Sequence, residues 1–497
     1  MSFISWKLLA EILWGKSPPV KVNVARTDDL YEASATRGFL ILGDPGSGKT
    51  KYASMQIVKR WKANPHAVFV FDWSGSITNS ILDLIARDKD YQRLFEMVVL
   101  DELGNEEWVI PKPEFHPDYG LTSEEQVNRV LGNMKRLSDF LLKGAPFLGT
   151  VSIDEIGREL FRLLTVIRNE HGENWQITEA KRLIMDLPLL RRALNSFGAY
   201  QPSAKWYFDH EYLPRDFMKA SEKELTTRAL RYLLSQLEAR EVRATLGYYK
   251  PGWTPREATQ NDLLVLIDAH RMINQTEAQH YLLMQNFSNV MAWINKREVD
   301  DPNNKLAEID FDETYTILQI EGMAEWLGMV SPLYRSRKVA LMIIAQALWQ
   351  FDESLAEQIW TLGNIVSFAV SNSKEAEDIA KQLFNYDPKF VKHDPKTPQQ
   401  NPTTEPSQGQ DRIIADWLQN LKARHFVMRR YDTEQHKEPG VQFVEKTADY
   451  PITPPYVSLP DIKRYLIQKR GVRVGDALKV ITQRMSKKED DSKPPTI

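Results

Sequence analysis

Residues Gly43-Asp44-Pro45-Gly46-Ser47-Gly48-Lys49-Thr50 match G-x-x-x-x-G-K-[ST] in full. The residue types specify a chemistry. Glycines let the backbone curl until successive N–H groups point inward at a phosphate, and the following helix adds the positive end of its dipole. Lys49 brings a full charge to the β- and γ-phosphates, and the Thr50 hydroxyl is a ligand for Mg²⁺. The expected ligands are ATP and Mg²⁺. A chance glycine-rich turn would lack the context found here. The strand-like "FLIL" runs into the loop and the glycine-free "KYASMQIV" leaves it as a helix.

Other strands must hold such a loop. "AVFVFDWSGS" ends an apolar run on Asp72, and "MVVLDELGNEEWVIP" (Met97 to Pro111) reads as a second strand and loop. Continuous apolar runs alternating with helices predict parallel strands buried on both faces. The fold class is therefore α/β, a RecA-like P-loop NTPase with a mostly parallel sheet. From about Thr122 to Lys305 the spacing turns helical, which predicts a largely helical inserted domain. Within it, "VSIDEIGRELF" carries Asp154 and Glu155, and "LLVLIDAHRM" carries Asp268 after five apolar residues. Ser152 with Glu155 reads as a capping box. Asn261 and Asp262 precede a run that stays in helical register through Met272. Both stretches are expected to be helices and not magnesium-binding strands.

The sheet is expected to resume at "TYTILQIEGMAEW" (Thr314 to Trp326), "RKVALMIIAQALWQF" (Arg337 to Phe351) and "NIVSFAVSN" (Asn364 to Asn372). The polar, proline-rich stretch from Lys396 to Asp411 cannot bury a core and is expected to be mobile. "RHFVMRRYD" and "GVQFVEKTA" read as paired strands, and the tail "SKKEDDSKPPTI" reads as disordered. The expected organisation is an N-terminal segment (1–35), the first half of the NTPase domain (36–121), the helical insertion (122–305), its second half (306–450), and a basic helical segment with a tail (451–497).

Composition bounds the rest. A chain of 497 residues exceeds one ordinary core, and 42% hydrophobic with 26% charged residues is ordinary for a globular protein. A net charge of −3 offers nucleic acid no bulk attraction, so any such contact must come from local basic patches. The absence of cysteine excludes disulfides and thiolate metal sites and suits a reducing cytoplasm. "MSFISWKLLAEILWGK" lacks a basic n-region and a cleavage site, and Lys7 and Glu11 interrupt an apolar run too short to span a bilayer. Residues 3–14 are expected to form a helix that docks on the body or on a secretion-channel partner. Peripheral attachment at the inner face of the membrane is the alternative.

Taken in order, several features resemble the HerA/FtsK superfamily of ring ATPases, and within it the TraG/TraD-type conjugative coupling proteins. They are the loop ending Gly48-Lys49-Thr50, the strand closing on Asp72 with a Ser-Gly turn, the helical insertion, an acidic strand end at Glu321, "RSRK" (Arg335 to Lys338), and Gln346-x-x-x-Gln350. The resemblance covers most of residues 36 to 385. It implies a homo-hexamer that hydrolyses ATP to translocate DNA in a mobile element's transfer system. By that resemblance Glu321 orients and deprotonates the attacking water, Gln346 senses the γ-phosphate, and Arg337, with Arg335 as alternative, completes a neighbouring subunit's site. One departure stands out: members carry Asp-Glu where this chain has Ile320-Glu321. Either another acid such as Asp72 substitutes, or Mg²⁺ rests on Thr50 and waters, or hydrolysis is slow. Coupling proteins of this type also carry N-terminal transmembrane helices, which this sequence does not show.

Direct signals for DNA are Arg228, Arg231, Arg240 and Arg243 followed by "GYYKPGW", and seven basic against two acidic residues between Asp461 and Arg484. Solvated helix faces are the competing reading of both. Three functional readings follow: a DNA translocase, a ring ATPase acting on protein in secretion or assembly, and a nucleotide-gated module with weak hydrolysis.

Overall fold

The computed structural model describes residues 23–24, 38–142, 146–168, 172–213, 220–272, 277–315, 335–351, 353–384, 407–429, 441–444 and 449–486. Its centre is a sheet of ten strands: β1 (Asn23–Val24), β2 (Phe39–Leu42), β3 (Ala67–Asp72), β4 (Val98–Glu102), β6 (Leu264–Asp268), β7 (Ala307–Asp312), β8 (Val339–Ala345), β9 (Asn364–Ser367), β10 (Phe426–Arg429) and β11 (Val441–Val444). Their spatial order is β1-β11-β10-β9-β2-β8-β7-β3-β6-β4. From β9 to β4 every pairing is parallel. β10 runs antiparallel to both β9 and β11. The expected pairing of "RHFVMRRYD" with "GVQFVEKTA" is thus found.

Every residue of β2, β3, β4, β6, β7, β8 and β9 is buried, as continuous apolar strands covered on both faces require. Side chains alternate between two layers. Leu40, Leu42, Phe69, Phe71, Ile309 and Phe311 face one core, shared with the helices between residues 123 and 247 and with the helix Glu277–Asn295. Phe39, Ile41, Val68, Val70, Met342 and Ile344 face the other, under the helices Lys49–Ala63, Ser76–Ala86 and Leu459–Arg470. A two-stranded ribbon, β5 (Trp108–Val109) with β12 (Val472–Arg473), joins the C-terminal segment to the body.

Three local expectations change. The stretch ending in Asp268 is a strand, β6, placed between β3 and β4. Ser152 does not open a helix, because the chain is already helical from Pro146 and continues through a π-turn at Ile153–Gly157. Asp154 is helical, as expected, and pairs with Lys135 at 2.7 Å. The strand following the insertion is Ala307–Asp312, and Thr314 and Tyr315 already form a helical turn. The remainder of the stretch expected there, including Glu321, lies outside the described residues, as do residues 3–14 and most of 396–411.

Candidate nucleotide-binding site

Parallel strands present their carboxyl ends to ligands, and here three neighbouring strands, β2, β8 and β7, converge. β2 leads into the phosphate loop. Gly43 (φ 153) has no room for a side chain, since a Cβ would lie 2.7 Å from the Phe368 Cβ and 2.8 Å from the Ser47 Oγ. Gly48 (φ 106) occupies the N-cap of the helix Lys49–Ala63 without a side-chain cap, and the first turn holds no acidic residue. The orphan N–H groups of that turn are left for an anion. Hydrogen bonds of 2.9 Å fasten the loop on both sides, from Asp44 N–H to the Ala369 carbonyl and from Arg424 N–H to the Ser47 carbonyl. Lys49 is buried within it.

β7 reads Ala307-Glu308-Ile309-Asp310-Phe311-Asp312, so its three acids share the face turned to the phosphate-loop helix. Glu308 is paired with Arg60 at 2.9 Å and His66 at 3.0 Å, all three being buried. Burial, and then the charge of Glu308, hold the Asp310 carboxyl well above its usual range. Burial, followed by the charges of Asp72 and Glu313, pushes Asp312 up to about 7. One Asp312 oxygen accepts from Ser76 Oγ at 3.2 Å, while the other is buried without a partner among the described residues. A carboxylate so placed favours a cation beside it. Asp312 therefore fits Mg²⁺, beside the Thr50 hydroxyl that the loop motif offers for the same ion.

Glu313 follows in left-handed backbone (φ 51), uncommon for a residue with a side chain. Its neighbour Thr314 bolts that turn to β8, the hydroxyl lying 3.1 Å from the Phe311 carbonyl and 3.0 Å from that of Ile344. Gln346, at the end of β8, donates from Nε2 to Glu313 Oε2 at 3.1 Å. The loop after Gln346 is fixed by Glu375, which accepts the N–H groups of Leu348 at 2.6 Å and Trp349 at 3.3 Å. Because β8 lies between β2 and β7, Gln346 sits between the phosphate loop and the Asp312-Glu313 pair.

An Asp-Glu dipeptide of the kind the family resemblance implies stands eight residues before Glu321, at the end of a strand whose apolar pattern three acids interrupt, while Glu321 itself lies outside the described residues. Asp72 instead holds backbone, its two oxygens accepting the N–H groups of Ser74 (3.0 Å), Gly75 (2.8 Å) and Thr78 (2.8 Å). That anchors the helix Ser76–Ala86, which carries Ser76 to Asp312. Arg337 lies at the opposite edge, before the start of β8, where Nε donates to the Arg297 carbonyl at 3.1 Å.

The basic stretches are largely occupied. All seven cations between Asp461 and Arg484 have partners: Lys463 with Asp268, Arg464 with Asp461, Lys469 with Glu96, Arg470 with Glu257, Lys479 with Asp476, Arg484 with Glu179, and Arg473 over the Trp108 ring. Trp253 of "GYYKPGW" is buried and donates to Asp101 at 3.1 Å, so it offers no face to a base.

No protein-family model matches the sequence, and no curated protein matches it either. Solved structures do. The bacterial conjugative coupling protein TrwBdeltaN70, in a trigonal form with sulphate, superposes with a TM-score of 0.55 at 14% identity, covering 91% of this chain and 95% of that one. This is the coupling-protein fold. TrwB in complex with the non-hydrolysable ATP analogue ADPNP gives 0.53 at 12% identity over 92% and 96% of the two chains. VirB4 of Thermoanaerobacter pseudethanolicus gives 0.52 at 13% identity over 87% and 97%. The TrwB-like fold agrees with the α/β class and P-loop architecture expected from sequence. Among the described residues no helix is long and apolar enough to cross a membrane.

Proposed function

We propose that this chain is an ATPase of the conjugation and type IV secretion kind that uses hydrolysis to move DNA. One observation carries the reading: the phosphate loop, Gln346 and the Asp312-Glu313 pair stand at the ends of three adjacent parallel strands. ATP supplies the phosphoryl group, and Mg²⁺ neutralises charge on it. The loop N–H groups and Lys49 hold the phosphates, while Thr50 and Asp312 orient the metal. Glu313, kept in place by Thr314, aligns and deprotonates the attacking water. The Gln346 amide links Glu313 to the γ-phosphate and so reports its departure without adding charge. Arg337 is a whole strand away from its own phosphate loop, so any part it takes in phosphoryl transfer belongs to a neighbour in a ring, for which a homo-hexamer is the reading.

DNA as substrate is favoured by the likeness to TrwB. In the insertion Arg240 is the candidate for the contact; Arg228 shares an exposed ion pair with Glu224, as Arg464 does with Asp461 and Lys479 with Asp476, and pairs so exposed leave a cation able to exchange its partner for phosphate. A protein substrate is the second reading, in keeping with a net charge of −3 that offers nucleic acid no bulk attraction. ATP turnover measured with and without single- and double-stranded DNA decides between them. Stimulation of about tenfold or more by either DNA supports the first reading. Turnover indifferent to both supports the second.

A further inference from the structure

The outer wall of the phosphate loop is the turn that leads into β10. Arg424 stands there in left-handed backbone (φ 71). Besides its N–H bond to the Ser47 carbonyl, its Cγ lies 3.5 Å from where a Cβ on Gly48 would be. Two residues on, the buried Phe426 packs on Tyr52 and Phe368 with ring centroids 4.9 and 5.0 Å away. Tyr52 belongs to the phosphate-loop helix and Phe368 follows β9, so the turn is fastened to both sides of the loop.

The Arg424 side chain runs from this turn toward solvent. Its Nη2 meets Asp449 Oδ1 at 2.9 Å, with the two side chains 38% and 69% exposed. Ion pairs so exposed are weak and readily exchanged. Asp449 is itself positioned by Tyr450, whose hydroxyl is 2.9 Å from both the Ser80 carbonyl and Asp83. Sheet order gives the direction. The γ-phosphate side of the loop faces β8 and β7, with Gln346 and Asp312, whereas Arg424 enters from the β9–β10 side. The phosphate nearest Arg424 is then the one farthest from the γ-phosphate.

We propose that Arg424 is a cation of the nucleotide site supplied by the chain's own β10 turn, exchanging Asp449 for the α-phosphate when a nucleotide enters. This rests on the nucleotide-site reading above. A guanidinium presents several donors to phosphate oxygens, and Asp449 is already largely in solvent when released.

The test titrates the full-length chain with a fluorescent ATP analogue, displaced by ATP or ADP in the presence of Mg²⁺. Wild type and Lys49→Ala come first; if wild type fails to bind, or Lys49→Ala binds equally well, both readings fall. Once that control holds, Arg424→Ala is expected to weaken ATP and ADP alike by about tenfold, because both carry an α-phosphate, and Arg424→Lys to restore part of the loss. Asp449→Asn is expected to tighten both several-fold and to do nothing in an Arg424→Ala background. An ion pair that merely fastened the turn would make both substitutions weaken binding and lower the melting temperature together. That outcome overturns the proposal, as does unchanged affinity in Arg424→Ala or equal tightening by Asp449→Asn in both backgrounds.

Discussion

The carboxyl edge of the sheet has two halves that look alike in composition and differ in their partners. Asp312, Asp72, Asp268 and Glu102 are cross-strand neighbours in one row on one face of β7, β3, β6 and β4. At the β4–β6 end the acids are saturated. Asp268 holds His270 at 2.7 Å and Lys463 at 3.5 Å, and Glu102 takes Asn105 at 2.7 Å and Arg271 at 3.3 Å. Although Glu102, Asp268 and His270 could share a cation by distance, Lys463 and Arg271 already stand beside them. At the β7 end Asp312 has one hydroxyl and an oxygen with no partner among the described residues. A strand-end acid has room for an added cation where, as at Asp312, it keeps an oxygen without a hydrogen-bond partner among the described residues, even though the charge of Lys49 also acts on it. The saturated half instead clamps the C-terminal helix to the sheet.

The sharpest way to break this contrast is at the phosphate loop. Lys49→Ala removes the side-chain charge aimed at the β- and γ-phosphates and should weaken ATP binding at least about a hundredfold with the fold intact. Unchanged affinity by titration would leave the unsaturated half without a ligand.

A subtler test uses pH. Asp312 sits near 7 in the folded chain against 3.8 for an ordinary aspartate. Its neutral form is the one folding favours, so its contribution is intact below about 4 and is lost as pH rises through 7. Asp312→Asn should therefore melt several degrees above wild type at pH 8 without nucleotide, with the gap closing between pH 7 and pH 4. A gap independent of pH would show that Asp312 is not a strained carboxylate.

The smallest effect is expected in the saturated half. Lys463→Ala leaves Asp268 with His270 alone and should cost about 1 kcal/mol in chemical denaturation, with ATP turnover unchanged. A loss of turnover without loss of stability would mean that the two halves share a function.

What is legible in the sequence follows from how local each signal is. The phosphate loop, β3, β8 and β9 announce themselves through contiguous apolar runs and glycines. β7 does not, because Glu308, Asp310 and Asp312 interrupt its apolar pattern, and the groups that make Glu308 tolerable, Arg60 and His66, come from some 240 residues earlier. The Asp-Glu dipeptide ahead of Gln346 is the signal that could have found it. The Asp268 stretch misleads for a related reason. Asn261 and Asp262 look like a helix N-cap, yet they end the helix Pro255–Gln260, with Asp262 in left-handed backbone (φ 53) and its carbonyl accepting from Trp61 at 2.9 Å. Asn and Asp serve either end, and a five-residue apolar run does not by itself separate helix from strand.

We propose Glu313, held by Gln346 at the end of β7, as the water-activating carboxylate. Single-turnover ATP hydrolysis by Glu313→Gln and Glu321→Gln, measured side by side at saturating ATP, tests it most directly. Glu313→Gln should bind ATP as wild type does and hydrolyse it at least about a hundredfold more slowly, the scale of losing a general base, while Glu321→Gln stays within a few-fold of wild type. Near-normal hydrolysis by Glu313→Gln with a collapse in Glu321→Gln would contradict the account.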